Sequence, residues 1–310
     1  MPTQPTPRAL LRASGVTDAM IRTQLSRDRL TQLRPGVYLA KSAWPESDDL
    51  AHVVTAHAEQ VVNPDAVISH QSAAVVWRLP SPDFRAWHES PVSLTLPTGA
   101  HGSRRRHVEW HIADLPASHV TRDAQGYQVT SLVRTAIDLA AGMPLPQALV
   151  VLDAAGRRMV ESYVGTVRRR DYTASRLVEA VRSSFMEALP RRWRVGLVDA
   201  IGKVEPCRES AAESLTAGHL HLSGLPMPEF QARILTAKGT FYPDCYWRER
   251  RLIGECDGAV KYSSADSIVL EKEREQALRD EGNGFVRWLG KEIMLRPSDV
   301  MSRIARALEV

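Results

Sequence analysis

The sequence predicts an α+β protein built from more than one domain. Its 310 residues, of which 44% are hydrophobic, are enough to form two or three separately packed cores. Segments with helical spacing of apolar residues are interspersed with short alternating runs typical of strands. A stretch rich in arginine and serine, residues 165–208, separates an N-terminal region from a distinct last third. We therefore expect four parts: residues 1–42, an α+β middle domain at 43–165, a helical linker at 166–204 and a C-terminal domain at 205–310.

Composition excludes several classes of protein. No apolar run approaches the 18 residues that a membrane helix needs, so we expect no membrane association. The three cysteines (Cys207, Cys245 and Cys256) are odd in number and lack paired CxxC spacing, which argues against a disulfide framework and a structural zinc site. We expect a reducing, cytoplasmic compartment. The net charge is +4 and the pI about 9.1, and the arginines occur in clusters that suit a phosphate backbone.

Residues 1–42 have the element order of a winged helix-turn-helix. A short helix over residues 7–14 ends at Gly15, Thr17 is placed to cap a second helix, and Pro35-Gly36 forms a turn between two short strands. In such a unit the second helix enters the major groove of DNA and the wing touches phosphate. A small helical cap with a hairpin is the alternative that this pattern leaves open. The candidate DNA-binding residues are Arg22, Arg27, Arg29 and, on the wing, Arg34.

The middle segment mixes helices and strands. Residues 50–63 have the pattern of an amphipathic helix, and VSLTLP reads as a strand. Arg134 and Asp138 are four residues apart, so we expect an ion pair within one helix. The histidines of this segment lack ligand-like spacing, and we assign them no metal.

The last hundred residues carry the acids of greatest interest. The predicted order is α-β-β-β-α-β-α, with Glu213 on the first helix and Asp244 at the start of a strand. Glu255 and Asp257 follow on what we expect to be the neighbouring antiparallel strand, where the period of two places them on one face. Gly254 on that strand is expected to allow close approach of a ligand or backbone.

Two acids on one face of a strand repel each other unless a cation relieves them. Carboxylates held at strand ends are what a Mg²⁺- or Mn²⁺-dependent nuclease uses to bind its metal. An edge strand with solvent-facing acids is the alternative reading, because charges protect sheet edges from association. The acids alone do not decide between the two.

Residues 205–310 resemble nuclease-like domains of the PD-(D/E)XK restriction-endonuclease superfamily, close to very-short-patch repair endonucleases. The resemblance is carried by AAESLTAGHLHLSGLP, PEFQ, YPDCYW, LIGECDG and the tail LEKEREQALRDEGNGFVRWLGKEI. It implies a restriction-endonuclease-like α/β domain in which Glu213, Asp244 and Glu255 bind Mg²⁺ or Mn²⁺. Asp257 would then position a water or a second metal, and DNA would be hydrolysed by a metal-dependent reaction.

One position departs from that superfamily. Its general pattern places a lysine two residues after the second-strand acid, where this chain has Asp257, as in the E-x-D-G form of the family. We therefore assign Lys261 the role of stabilising the charge on phosphate, with Lys272 and Arg274 as alternatives. The histidine that often follows the D-G pair in related domains is absent here. A degenerate fold that binds nucleic acid without cutting it is thus a second possibility.

The front of the chain resembles a different family. Residues 10–160, with LTQLRPGVYLA, AVISHQSAAVVWRLP, VTSLVRTAIDLA and ALVVLDAAGRR, are similar to AbiEi-type antitoxins of type IV toxin–antitoxin systems. Those proteins are winged-helix transcriptional autorepressors. The sequence therefore predicts a binder of double-stranded DNA with a metal-dependent endonuclease domain. The alternative is a non-catalytic antitoxin or autorepressor, whose C-terminal acids are structural or contact a cognate toxin.

Overall fold

The computed structural model describes residues 1–100, 107–190, 194–257 and 265–309. The chain divides into two compact units, unit 1 (residues 1–79 and 84–139) and unit 2 (residues 80–83 and 140–310). The expected boundary at residue 165 lies at the end of a long helix that packs within unit 2. Both units mix helices and sheets, so the α+β, multidomain class predicted from the sequence is confirmed.

Unit 1 contains two sheets and the helices that cover them. Its helices include α1 (Arg8–Ala13), α2 (Asp18–Ser26), α3 (Asp48–Val62), α4 (His70–Trp77) and α5 (Leu132–Ala140). Its strands include β1 (Thr6–Pro7), β2 (Leu30–Arg34), β3 (Val37–Ala40), β4 (Val67–Ile68), β5 (Val92–Leu96), β6 (Val108–Ile112), β7 (Val120–Arg122) and β8 (Gln128–Thr130).

The first forty residues fold as two short helices followed by a hairpin. The Thr17 hydroxyl accepts a hydrogen bond from the backbone N–H of Met20, which confirms the predicted helix cap. Strands β2 and β3 pair antiparallel across the predicted turn, and β1 adds a third strand beside β3. A small core of Leu11, Ile21, Leu30 and Tyr38 holds the helices on this sheet.

The rest of unit 1 is a five-stranded mixed sheet in the order β6-β5-β4-β8-β7. The predicted helix at 50–63 is α3 and the predicted strand VSLTLP is β5. In α5 the Arg134 guanidinium donates to Asp138 at 2.7 Å, as the four-residue spacing predicted.

Unit 2 is built around a four-stranded sheet in the order β14-β13-β12-β9, with β10 and β11 forming a separate hairpin. Its strands include β9 (Glu229–Phe230), β10 (Ile234–Thr236), β11 (Gly239–Phe241), β12 (Cys245–Trp247), β13 (Leu252–Asp257) and β14 (Gly284–Leu289). Its helices include α6 (Leu145–Val164), α7 (Ser175–Ala188), α8 (Arg194–Gly202), α9 (Ala211–Ser223), α10 (Ala265–Asp280), α11 (Gly290–Leu295) and α12 (Pro297–Leu308). Strand β13 pairs antiparallel with β12, as predicted, and parallel with β14.

Helices α6 and α9 lie unusually close together. A Cβ atom at Gly218 of α9 would stand 2.3 Å from the Cα of Pro146 in α6, so only glycine permits this approach. A buried polar network joins the same two helices. Asp153 of α6 accepts from the Ser214 hydroxyl of α9 at 2.7 Å and from the Arg208 guanidinium at 2.7 Å. These contacts fix the helix that carries Glu213.

No helix in the described parts of the chain combines the length and apolar character needed to cross a membrane.

Candidate functional site

Glu213 lies in the first turn of α9, where the helix start fixes its carboxylate. The Ser210 hydroxyl caps the helix by accepting from the Glu213 N–H at 3.2 Å, and it donates to Glu213 Oε1 at 2.9 Å. The Glu209 N–H donates to Glu213 Oε2 at 3.1 Å. Such bonds satisfy backbone N–H groups that have no partner within the helix at its start. They also hold the carboxylate of Glu213, a residue that is only 4% exposed, in a single position.

Asp244 directly precedes β12 and is tied to the neighbouring strand. Its Oδ2 accepts from the Cys256 N–H of β13 at 2.8 Å, and its backbone carbonyl accepts from the Gln231 N–H at 3.3 Å. Because Cys256 lies between Glu255 and Asp257, this bond brings Asp244 beside the other acids.

Gln231 joins the acids of the helix and the sheet. Its Nε2 donates to Glu213 Oε2 at 3.1 Å and lies 3.5 Å from Asp244 Oδ1, while its Oε1 accepts from Arg169 at 2.6 Å. The side chain is buried and the backbone has a φ of 53°, a left-handed conformation that costs energy in a residue other than glycine. Gln231 is the last residue of the PEFQ segment, and nothing in its sequence spacing indicates this role.

Glu255 lies on β13, on the same face as Ile253, as the period of two predicted, and this face packs against α10. Its Oε1 accepts from the Arg274 guanidinium at 2.8 Å, and Arg274 also lies 3.3 Å from Glu271. The neighbouring residue on the same face, Ile253, packs against Leu278 of α10. Arg274, which the sequence offered only as an alternative, is therefore a cation beside the candidate acids.

Asp257 lies at the more open end of the same face. Its Oδ2 is 3.8 Å from Arg287 of β14, and both side chains are one-third exposed. Arg287 pairs in register with Glu255 across the parallel strands, so two arginines flank the acids. Lys261, to which the sequence assigned the cationic role, lies outside the described residues.

The carboxylates of this cluster hold protons more tightly than free acids do. Burial, followed by repulsion from Asp244, raises the pKa of Glu213 to about 7 and the pKa of Glu255 to about 8. Burial also raises the pKa of Asp244. Asp244 therefore repels two desolvated acids, Glu213 on one element and Glu255 on another. Such clusters of raised pKa are typical of functional sites.

The cluster opens into a cleft of about 330 Å³. Asp244, Glu255, Gln231 and Arg274 contribute to its wall, so acid, amide and guanidinium groups all reach the same space. We call this the acidic cleft.

The donor groups at the acidic cleft suit a hard divalent cation. Carboxylate oxygens are ligands that Mg²⁺ and Mn²⁺ prefer, and a cation would relieve the repulsion that Asp244 exerts on its neighbouring acids. Within the described ranges, no three His, Cys, Asp or Glu side chains already stand in a metal-binding arrangement.

The chain matches no protein-family model. The uncharacterized protein Rv2248 of Mycobacterium tuberculosis strain H37Rv and the uncharacterized protein MT2308 of strain CDC 1551 are each 29% identical to it. Each match extends over 192 residues, which are 59% of this chain and 63% of the relative. The chain thus spans less than two thirds of the length of these relatives.

Two sequence expectations need correction. Arg34, expected to touch phosphate from the wing, is buried, and its guanidinium pairs with Glu59 of α3, so it does not face solvent. Gly254 does not make room for a ligand. A Cβ atom on Gly254 would lie 2.8 Å from the ring of Trp288 and 2.9 Å from that of Trp247, so these two rings fill the space beside the glycine. Gly254 makes room for the tryptophans on the face opposite the acids.

The other arginines that the sequence assigns to DNA binding lie at the surface. Arg22 on α2, and Arg27 and Arg29 just after it, are all exposed. They lie on or directly after the predicted recognition helix.

Proposed function

We propose that this chain is a DNA-binding protein whose second unit is a metal-dependent endonuclease domain that hydrolyses phosphodiesters. One observation carries the proposal: Asp244 and Glu255, from two paired strands, line one cleft beside Arg274 as desolvated acids, and the amide of Gln231 joins Asp244 to Glu213 at a helix start. The resemblance of residues 205–310 to PD-(D/E)XK nuclease domains supports the same assignment.

We assign a role in this reaction to each of the side chains at the site. Glu213, Asp244 and Glu255 would hold Mg²⁺ or Mn²⁺, which, when bound, supplies charge that polarises the phosphodiester and lowers the pKa of an attacking water. Arg274, 2.8 Å from Glu255, would stabilise negative charge that develops on the phosphate. Gln231 holds the carboxylate of Glu213 in place through its amide.

Unit 1 would supply DNA binding. The exposed arginines Arg22, Arg27 and Arg29 on and after α2 offer positive charge to a phosphate backbone, the main source of affinity for duplex DNA. The winged helix-turn-helix that the element order suggests would place α2 in a major groove.

A nicking assay tests the catalytic part of this proposal. Supercoiled plasmid is incubated with purified wild-type protein, Glu255→Gln or Glu249→Gln, in Mg²⁺, Mn²⁺ or EDTA. Glu249 is an exposed acid outside the cluster, so its variant controls for the loss of one charge. We expect cleavage that requires metal, is unchanged in Glu249→Gln and falls at least about a hundredfold in Glu255→Gln, the scale of losing one strong electrostatic group.

Cleavage that persists in EDTA or in Glu255→Gln would overturn the site assignment. Duplex binding without cleavage under any of these conditions would favour a non-catalytic regulator, the function that the resemblance to AbiEi-type antitoxins implies.

A further inference from the structure

A second pocket, of about 360 Å³, adjoins the acidic cleft. Arg169 and Arg170, from a 3-10 turn at Arg169–Thr173, line one side, and Arg233 and Tyr242 line another. Arg169, Gln231 and Tyr242 line the acidic cleft as well, so a bound chain can pass from one space to the other. We call this second space the arginine pocket.

One wall of the arginine pocket is a fixed aromatic and guanidinium surface. The guanidinium of Arg169 lies 4.7 Å from the centre of the Tyr242 ring. It also donates to Gln231 Oε1 at 2.6 Å and lies 3.3 Å from Glu209, which restricts its movement. Aromatic rings and guanidinium planes are the surfaces on which unpaired bases stack.

The pocket has free positive charge. Arg170 and Arg233 are exposed, and among the described residues no carboxylate lies within ion-pair distance of either guanidinium. The acids that line the pocket are already paired with other arginines. Glu229 accepts two bonds from Arg248, at 2.6 and 2.7 Å, and the pKa of Glu229 is lowered by that partner.

Glu209, the other acid, lies within 3.5 Å of both Arg157 and Arg169. The two free guanidiniums therefore have no acid at the pocket to neutralise them. An anion entering the pocket would meet a net positive surface.

We propose that the arginine pocket binds one unpaired nucleotide of the strand that is cut, with its base against Tyr242 and Arg169 and its phosphate on Arg170 and Arg233. This inference rests on the proposed nuclease function. The volume is in the range of pockets that hold small molecules, and a base inside a duplex cannot present its face to a pocket unless it is unpaired.

The phosphate contacts are tested by binding without cleavage. Fluorescence anisotropy of a labelled single-stranded DNA oligonucleotide is measured in EDTA at several salt concentrations. For single strands the slope of log affinity against log salt changes by about 0.7 per phosphate contact, so the double variant Arg170→Ala/Arg233→Ala should lose about 1.4 of the slope. The control Arg250→Ala/Arg306→Ala removes the same charge at exposed sites of unit 2 outside the pocket and should leave the slope unchanged.

The stacking contact is tested in the same assay. Tyr242→Ala should weaken single-strand binding at least about fivefold, the low end of what one stacked base contributes. Tyr242→Phe keeps the ring and should bind like wild type, which separates lost stacking from a folding defect. A duplex of the same sequence should bind equally well to wild type and Tyr242→Ala.

Unchanged single-strand affinity and salt slope in the Arg170→Ala/Arg233→Ala and Tyr242→Ala proteins would overturn the proposed subsite, as would absence of single-strand binding by wild type. An equal loss of duplex binding in Tyr242→Ala would refute the requirement for an unpaired base. The nicking assay tests the nuclease function independently of these binding measurements. If the variants lose single-strand binding while wild type cuts no DNA, the nucleotide subsite is supported and the nuclease function is refuted.

Discussion

Removal of the Asp153 carboxylate should strongly destabilise unit 2. Asp153 of α6 is 1% exposed and accepts hydrogen bonds from the Arg208 guanidinium, the Ser214 hydroxyl and the Glu205 N–H, at 2.7, 2.7 and 2.8 Å. The substitution Asp153→Ala leaves all three donors without this acceptor. The donors come from α9 and from the segment that leads into it, so the defect lies where the two helices meet.

The size of the effect follows from burial. Arg208 is as buried as its partner, with side-chain exposures of 1% each, and an unpaired charge at such a site costs about 3–5 kcal/mol. An unsatisfied hydroxyl and N–H add about 1–3 kcal/mol each where water cannot reach them. We expect a loss of at least about 4 kcal/mol, a large part of the ~5–15 kcal/mol that stabilises a typical domain.

Urea denaturation followed by tryptophan fluorescence measures this loss, because Trp247 and Trp288 lie in the core onto which α9 packs. Asp199→Ala, which removes an exposed acid from α8, is the matched control and should change stability by less than about 0.5 kcal/mol. The apolar double variant Asp153→Leu/Arg208→Met should recover much of the loss, because neither charge is left buried. The reasoning is refuted by an Asp153→Ala protein within about 1 kcal/mol of wild type, or by a double variant no more stable than the single one.

Two further predictions concern the strand that carries Glu255. Gly254→Ala should lower stability by more than about 2 kcal/mol in the same denaturation, because its Cβ would overlap the rings of Trp247 and Trp288; an unchanged midpoint would contradict that packing. In wild type the folded Glu255 keeps its proton up to about pH 8, whereas the unfolded chain releases it near the ordinary pKa of 4.5, so stability falls as pH rises through that window. As the pH rises from 5 to 8 in metal-free buffer, the free energy of unfolding of Glu255→Gln should therefore increase relative to that of wild type by on the order of 3–5 kcal/mol. A difference that does not change with pH would contradict the raised pKa of Glu255.

The features that the sequence predicted well are local ones. The Thr17 cap and the turn at Pro35-Gly36 depend on a few neighbouring residues, and the structure contains both. The pairing of the strands after Asp244 and through Glu255 also followed from alternation and a short connection.

The features that the sequence missed depend on partners distant in the chain. The burial of Arg34 requires Glu59, 25 residues away on α3, so a basic residue on a hairpin looked like a phosphate contact. Gln231 acquires its role only when α9 and the start of β12 bring Glu213 and Asp244 to the same amide nitrogen. No short-range spacing records such contacts, because tertiary packing creates them.

The parallel pairing of β13 with β14 has a consequence for the order in which the acidic cleft can form. A parallel neighbour cannot be reached by a tight turn, so residues 252–257 meet residues 284–289 only after α10 has been made. Asp244 and Glu255 therefore leave the ribosome before Arg274 of α10 and Arg287 of β14, the two cations that flank the acids. During synthesis β13 can therefore pair with β14, and the acids can meet these two arginines, only after residues 284–289 have emerged.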